Sequence, residues 1–288
     1  VYTAETLLLW AGGENAVWSA ENVWTDGGAP ATYADGLAVS FADQAGVAAS
    51  VVQLDSEVSP GSMLVRNSTT RYELTGTGAI ASTAITKEGT GTLVIGSASV
   101  LGTGTTVAVT GGVLAFGYDT ALPAEGITWG AGSSLGAANG ATVTVDLGAV
   151  ANPAFSLSAE TGSFINLVTP SAVSFANNII GAGTVRKTGS GLLKLTGANS
   201  GHISVEEGTL QVGDNTNSIN WGSAGSSVTL QNGTTLNISG SNTHHRVGAD
   251  LILGTSATDA VSLKWYNASQ ADADSYQYDF TGAVTVNG

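Results

Sequence analysis

The sequence predicts an all-β chain folded as a β-solenoid with an aromatic-rich N-terminal cap. Short segments that alternate apolar and polar residues are separated by turns rich in glycine and asparagine, as expected for strands. No window of helical length shows the apolar period of an amphipathic helix. Two glycine-rich motifs each occur twice, in the same order. Internal repetition of this kind is typical of stacked coils, in which each coil packs on its neighbours.

Composition and charge exclude several classes of function. The 288 residues contain no Cys, which excludes disulfides, thiolate catalysis and Cys-ligated zinc. The formal net charge is -14, from 8 Lys and Arg against 22 Asp and Glu, so the surface repels nucleic acid and anionic lipid. No apolar run approaches the length of about 18 residues that a membrane-spanning helix needs. We therefore expect neither a nucleic-acid partner nor a membrane-spanning segment.

Residues 1–60 are predicted to form the N-terminal cap and the first rungs. This segment is rich in aromatic residues and lacks the glycine-rich motifs that occur later. The end of a solenoid is an exposed β edge, which an atypical terminal unit usually covers. The clustered aromatic residues are Trp10, Trp18, Trp24, Tyr33 and Phe41. The first regular strand is predicted at Val51–Leu54.

Residues 61–288 are predicted to form the body of the solenoid, with repeats near 76–148 and 176–240. Short strands recur along it, with glycine-containing turns between them. The predicted strands are Ser62–Arg66, Thr92–Ile95, Thr106–Val109, Val113–Phe116, Thr142–Asp146, Leu192–Leu195, Ile203–Val205, Thr209–Val212, Ser227–Leu230, Thr234–Ile238, Ala260–Trp265 and Ala283–Val286. The sequence stops within a strand pattern at Gly288, and we expect the native chain to continue beyond it.

The repeats consist of two motifs. The first, Lys-x-Gly-x-Gly-x-Leu, is formed by Lys87, Gly89, Gly91 and Leu93 and again by Lys187, Gly189, Gly191 and Leu193. The second, Val-x-x-Gly-x-Leu-x-x-Gly, follows each copy with Gly112, Leu114 and Gly117 and with Gly208, Leu210 and Gly213. The leucines of the two motifs are about 20 residues apart, a suitable length for one coil of three short strands. We interpret Lys87 and Lys187 as residues at the edge of a rung.

Together these motifs resemble the passenger-associated transport repeat of Gram-negative autotransporters. The copy from Gly181 to Gly213, which includes Gly197-Ala198-Asn199, is close to the family pattern. The earlier copy departs from it, because Gly96-Ser97-Ala98-Ser99 replaces the Gly-x-Asn element. The clear resemblance covers about residues 76–117 and 176–240. It implies a right-handed parallel β-helix displayed on, or released from, the outer surface of a Gram-negative bacterium. In that family the repeat is associated with passenger export and coil formation, with no chemistry assigned to it.

Few residues have the arrangement of a metal site. His244-His245-Arg246 is interpreted as a loop or rung edge, because adjacent histidines on a strand point to opposite faces. Asp272 and Asp274, near Asp279, have an i, i+2 spacing that suits Ca²⁺. They lack the glycine-bracketed nonapeptide of calcium-binding β-rolls, and we interpret them as a solvated acidic turn. We expect no metal and no cofactor.

Catalysis is not expected either. The acidic residues are scattered, whereas a glycoside hydrolase needs two carboxylates that face each other. No Gly-x-Ser-x-Gly motif occurs with a partnered histidine. An irregular aromatic segment is the candidate for ligand contact, since aromatic rings stack on sugars, although a packing role is also open. Its residues are Trp265, Tyr266, Tyr276 and Tyr278.

The sequence thus predicts a non-catalytic extracellular segment that acts as a structural stalk or an adhesive surface. Its partners would be a host or environmental glycan, a protein, or copies of itself, because parallel coils extend unless they are capped. The alternative is a carbohydrate-binding or polysaccharide-degrading β-helix. Three acids on one lateral face would favour the enzyme, and isolated acids on a face covered by Thr and Asn would favour the scaffold.

Overall fold

The structure is a computed structural model that describes residues 7–96, 98–117, 127–148, 150–151, 155–176, 178–213, 220–239, 244–266 and 277–287. The regular elements within these ranges are β-strands, with no helix among them. The chain divides into two compact units, Val1–Phe155 and Ser156–Gly288. In the described residues of each unit, parallel strands stack as a β-solenoid, which confirms the predicted fold class.

The described residues of the first unit form sixteen strands. They are β1 (Leu7–Trp10), β2 (Asn15–Val17), β3 (Trp24–Asp26), β4 (Ala29–Ala31), β5 (Ala38–Ala42), β6 (Ala49–Leu54), β7 (Ser62–Arg66), β8 (Arg71–Gly76), β9 (Ala79–Glu88), β10 (Thr92–Ile95), β11 (Ala98–Val109), β12 (Val113–Phe116), β13 (Ile127–Trp129), β14 (Ser133–Ala137), β15 (Thr142–Asp146) and β16 (Val150–Ala151).

Within the first unit these strands form two sheets. One has the order β14-β11-β9-β7-β5-β1-β3-β4, with β13 paired to β11 and β16, and the other has the order β2-β6-β8-β10-β12-β15. Along the chain, strands β5 to β12 alternate between the two sheets, so that each coil contributes to both sheets and each strand pairs with its equivalent in the next coil. The long strands β9 and β11 pair with each other along two separate stretches, because the register shifts between Leu101 and Thr106.

The N-terminal cap departs from the parallel pattern. Strand β1 pairs antiparallel with β3, and β3 pairs antiparallel with β4, so a hairpin covers the edge of the first sheet. Beneath it Trp10, Trp18 and Trp24 are at most 1% exposed, and the centroids of their rings are 4.8 to 6.5 Å apart. This aromatic cluster confirms the predicted cap and protects a β edge that would otherwise be open to pairing.

In the second unit, the part of the chain that the structure describes also forms sixteen strands. They are β17 (Phe155–Ala159), β18 (Phe164–Val168), β19 (Val173–Phe175), β20 (Ile179–Ile180), β21 (Thr184–Thr188), β22 (Leu192–Leu195), β23 (His202–Val205), β24 (Thr209–Val212), β25 (Asn220–Trp221), β26 (Ser227–Leu230), β27 (Thr235–Ser239), β28 (His244–Val247), β29 (Asp250–Leu253), β30 (Ser262–Tyr266), β31 (Gln277–Phe280) and β32 (Val284–Val286).

Parallel sheets form the walls of the second unit. Their strand orders are β18-β21-β23-β26-β29-β32, β19-β22-β24-β27-β30 and β25-β28-β31, and β17 pairs with β20. Inward-facing aliphatic residues are stacked in register from coil to coil, as in the ladder Val185, Ile203, Val228 and Leu251, each at most 1% exposed. Each such side chain contributes about 1.5–3 kcal/mol by leaving water, which makes the ladders the main source of stability.

Each strand predicted from the sequence is present, most with ends within two residues of the observed ones. The predicted coil length is also confirmed, because Leu93 lies opposite Leu114 and Leu193 lies opposite Leu210 in adjacent rungs. Alternation does not predict burial everywhere, since Val94 and Ala115 face outward by parity and yet are 1% and 5% exposed. The described part of the chain has no helix long and apolar enough to cross a membrane.

Candidate functional site

The first repeat motif forms a turn between two sheets, here called the Lys87 corner (residues 87–91). Strand β9 ends at this corner, and β10 leaves it toward the other sheet. The side chain of Lys87 is fully buried and donates from Nζ to the carbonyl oxygens of Glu88 (2.7 Å), Gly89 (3.1 Å) and Gly111 (3.4 Å). Gly111 belongs to the next coil, so the ammonium group connects the backbones of two successive coils.

The second copy forms the equivalent Lys187 corner (residues 187–191), between β21 and β22. Lys187 is also fully buried, and its Nζ donates to the carbonyl oxygens of Thr188 (3.2 Å) and Gly189. Both lysines lie next to the last residue of a strand. Sequence reasoning did not anticipate that these lysines are buried. The alternation of side chains along a strand could have shown it, because Lys87 is two residues after the buried Ile85 and Lys187 is two residues after the buried Val185, so that both face inward.

The electrostatics of the two corners are similar. Burial lowers the pKa of Lys87 to about 8, and the negative charge of Asp43 opposes that shift. Burial likewise lowers the pKa of Lys187 to about 8, against the opposing charge of Glu207. Both amines are therefore mainly protonated at neutral pH. An ammonium group carries three N–H donors and no acceptor, which suits a site built from backbone carbonyls.

The motif glycines allow the backbones of successive coils to approach closely. Gly112 has a φ of +65°, and a Cβ added to it would lie 2.3 Å from the carbonyl oxygen of Gly91. Gly208 has a φ of +69°, and its Cβ would lie 2.7 Å from the carbonyl oxygens of Gly189 and Gly191. Each position combines a left-handed conformation with contact too close for a side chain, which explains why glycine recurs there.

The remaining motif residues also have structural roles in both copies. The leucines of the two motifs are fully buried in the ladders. Gly117 and Gly213 follow strands β12 and β24. The backbone N–H of each donates to a carbonyl oxygen of the preceding coil at a distance of 2.9 Å, that of Ile95 for Gly117 and that of Leu195 for Gly213. The two motif copies therefore act as matched units that join one coil to the next.

The predicted ligand-contact residues fall in different places. Trp265 and Tyr266 end strand β30, where their backbone pairs with Ile238 and Ser239. Tyr278 lies in β31, in another sheet, opposite His245. Tyr276 is outside the described residues. A role for this group in ligand contact stays a prediction.

The predicted loop or rung edge at His244-His245-Arg246 is strand β28, which pairs with β31 so that Arg246 is opposite Asp279. Asp272 and Asp274 are outside the described residues. Among the residues that are described, no group of three or more His, Asp or Glu side chains is close enough to hold a metal ion.

A contact between His202 and Ser227 was missed by sequence reasoning. His202 Nδ1 lies 2.8 Å from Ser227 Oγ, on neighbouring strands β23 and β26. A hydroxyl within hydrogen-bond reach of an imidazole is the first requirement of a serine nucleophile. The residues are 25 positions apart and meet only because of the strand register, so no local motif reveals them. On the next strand Asp250 is opposite Ser227, where its Oδ1 accepts from the backbone N–H of Ala283 (2.7 Å).

Each unit has a cavity among its described residues. A cavity of about 310 Å³ lies in the cap of the first unit, between the turn 19–22 and the segment 30–33, and Trp18, Trp24 and Tyr33 are among its lining residues. A cavity of about 410 Å³ in the second unit is lined mainly by small residues of 222–225 and 281–282, with Arg246 and Asp250 as its charged groups. Neither cavity is lined by a residue that the sequence predicted to contact a ligand.

Comparison with known proteins gives no family model that matches the chain and no significant match among curated proteins or solved structures.

Proposed function

We propose that this chain is a non-catalytic, extracellular β-helical segment of an autotransporter-like passenger, which serves as a structural stalk or an adhesive surface. One observation carries the proposal. In both motif copies the Gly residues bring the backbones of successive coils into close contact and the Leu residues are buried in the ladders, and Lys87 Nζ also donates to the carbonyl oxygen of Gly111 in the next coil. The most regular feature of the sequence therefore supports a role in building length and surface.

The autotransporter part of the proposal is supported by how the motif is used. The resemblance implied a repeat associated with coil formation, and a motif that joins successive coils is compatible with that role. An extracellular location can be tested by treating intact cells that produce the native protein with an added protease. Cleavage of this segment without lysis of the cells is the expected result. Cleavage that requires prior lysis would contradict the proposed location.

The stalk and adhesive roles can be separated by a binding assay. The purified chain is incubated with mucins and with plant and microbial polysaccharides, and retained protein is measured together with newly released sugar ends. Retention without release is expected of an adhesive surface. Absence of both signals would favour a stalk, and release of sugar ends would refute the non-catalytic proposal.

The alternative of a carbohydrate-active enzyme is favoured by one observation, the contact between His202 and Ser227. A covalent serine nucleophile would react with a fluorophosphonate probe, with His202 accepting the hydroxyl proton and fluoride leaving. We expect no labelling, because the side-chain interactions in the described residues include no carboxylate bound to His202. Labelling that is lost in Ser227→Ala would show a reactive serine and would contradict the non-catalytic proposal.

Self-association is proposed as a property of the same scaffold. Parallel coils favour end-to-end extension, and the two motif copies show how one coil packs on the next. Sedimentation of the purified chain over a range of concentrations tests this. A sedimentation coefficient that stays constant over that range would exclude self-association.

A further inference from the structure

The three buried tryptophans of the cap differ in whether their indole N–H group has a hydrogen-bond acceptor. Trp10 Nε1 donates to Ser50 Oγ (3.2 Å), and Trp24 Nε1 donates to the carbonyl oxygen of Trp18 (2.9 Å). Trp18 Nε1 is buried and has no acceptor among the described residues. A buried donor left unpaired costs about 1–3 kcal/mol, and buried indole N–H groups usually have a partner. Trp18 therefore retains an unused donor.

This tryptophan lines the cavity of about 310 Å³ in the cap. Ligand pockets occupy about 300–1,000 Å³, so the cavity has room for one small molecule. Pro30, Ala31 and the half-buried ring of Tyr33 contribute apolar surface to the lining. Its polar residues are Ser19, Glu21, Asn22 and Thr32.

The polar groups of the lining are rich in acceptors. Ser19 Oγ donates to Asp55 Oδ2 (3.1 Å) and Tyr33 Oη donates to Asp35 Oδ1 (2.9 Å), so the proton of each hydroxyl is engaged while its oxygen can still accept. Glu21 adds a carboxylate, and no Lys or Arg lines the cavity. Burial raises the pKa of Tyr33, and the neighbouring Asp35 adds to the effect, so the phenol keeps its proton. Such a lining suits a ligand with several hydroxyl donors and no negative charge.

We propose that the cap cavity binds one neutral sugar residue. An apolar face of the sugar would contact Tyr33 and Pro30, and its hydroxyls would donate to Glu21 and Ser19. Since Trp18 Nε1 is covered in the free protein, a sugar oxygen reaches it when the turn 19–22 shifts. The inference assigns a ligand class and a site to the adhesive surface, and so it rests on the proposed function.

The test follows the indole N–H signals of the 288-residue chain labelled with ¹⁵N-tryptophan. Glucose, galactose, mannose and N-acetylglucosamine are titrated separately, and Trp18→Phe identifies the Trp18 signal. A neutral sugar is expected to shift that signal with a Kd on the order of 1 mM, while Trp10, which already has an acceptor, stays unchanged. Glucuronic acid is expected to bind at least about tenfold more weakly because of its charge. If none of the neutral sugars moves the Trp18 signal at about 50 mM, the inference is refuted.

A matched pair of exposed residues provides a control that leaves the packing of the cap intact. Glu21→Gln is expected to weaken sugar binding about threefold to tenfold, whereas Glu57→Gln, outside the cavity, leaves it unchanged. Equal binding by both variants would overturn the assignment of the site. Retention on a polysaccharide without any shift of Trp18 would also overturn it, while leaving the proposed adhesive function in place. A shift of Trp18 without retention on any polymer would support the cavity and count against the adhesive role.

Discussion

The Lys87 corner and the Lys187 corner place the same ammonium group in the same turn but are closed by different neighbours. Beside the first lies Asn67, a fully buried amide of the preceding coil, whose Nδ2 donates to the carbonyl oxygens of Thr70 (2.6 Å) and Thr92 (2.8 Å). Beside the second, Thr169 Oγ1 donates to the carbonyl oxygen of Thr188 (2.8 Å), and Glu207 Oε2 accepts from the N–H of Gly189 (3.0 Å).

The difference indicates which part of the corner is essential and which is replaceable. The lysine and the glycines recur because the ammonium group must be close to backbone carbonyls and the coils must approach one another. The closing groups differ, because a buried amide and a hydroxyl with a carboxylate both provide polar partners for the turn. Lys87 donates to one more carbonyl oxygen than Lys187 does, so the stability of its corner should depend more strongly on the lysine.

Removal of each lysine should have the largest effect. Lys87→Ala leaves a cavity and three carbonyls without their donor, and we expect it to lower the free energy of unfolding by about 2–4 kcal/mol. Lys187→Ala should cost about 1–2 kcal/mol, because fewer carbonyls lose a partner. Denaturant unfolding combined with hydrogen exchange in the flanking strands measures both losses. The exposed Lys264→Ala is the control, expected within about 0.5 kcal/mol of the wild type. Equal losses at the two corners would contradict the comparison.

Substitution of the stacking glycines ranks next. We expect Gly112→Ala to cost about 2–3 kcal/mol and Gly208→Ala about 2 kcal/mol, since the added Cβ meets a carbonyl oxygen at 2.3 Å in the first case and 2.7 Å in the second. Gly132→Ala separates strain from crowding, because Gly132 has a φ of +74° but nothing within 4 Å of an added Cβ. It should cost only about 1 kcal/mol. Thermal unfolding of the three variants checks this order, and a loss in Gly132→Ala as large as in Gly112→Ala would show that crowding is unimportant.

The pH dependence of stability tests both corners together. The folded pKa of each lysine is about 8, below the ordinary 10.5, so between these values the unfolded chain binds more protons than the folded one. The free energy of unfolding should therefore rise as the pH increases from 8 to 10.5. Relative to Lys87→Met/Lys187→Met, we expect the wild type to gain at least about 1 kcal/mol over this range. Denaturant midpoints at both pH values measure the gain, and parallel changes in the two proteins would exclude the lysines as its source.

Loss of the closing carboxylate should have the smallest effect. Glu207→Gln keeps an acceptor for the N–H of Gly189 but removes a charge that raises the pKa of Lys187. We expect a loss below about 1 kcal/mol that decreases with added salt. Glu206→Gln, which disrupts the outer ion pair with Arg186 (3.4 Å), is the neighbouring control. A salt-independent loss in Glu207→Gln would indicate that hydrogen-bond geometry matters there more than charge.

Strand positions were predictable because strand and turn preferences are local. Alternation located β10, β12 and β24 with the observed ends, and motif spacing anticipated that Leu93 and Leu114 are opposite each other. The candidate sites were less predictable. The His202–Ser227 contact depends on a register between strands that no local pattern specifies, and the cap cavity forms only when the turn 19–22 meets the segment 30–33.

The sequence by itself determined the all-β class, the positions of many strands, the aromatic cap and the recurrence of the Lys-Gly-Leu motifs, because each follows from residue spacing, parity or glycine placement. Only the tertiary structure decided which side chains meet across coils. It made Lys87 and Lys187 buried donors to backbone carbonyls, and it left Trp18 with an unpaired N–H beside a cavity. The physical reason is that contacts between coils depend on the register and on loop lengths between rungs, which are properties of the stacked chain.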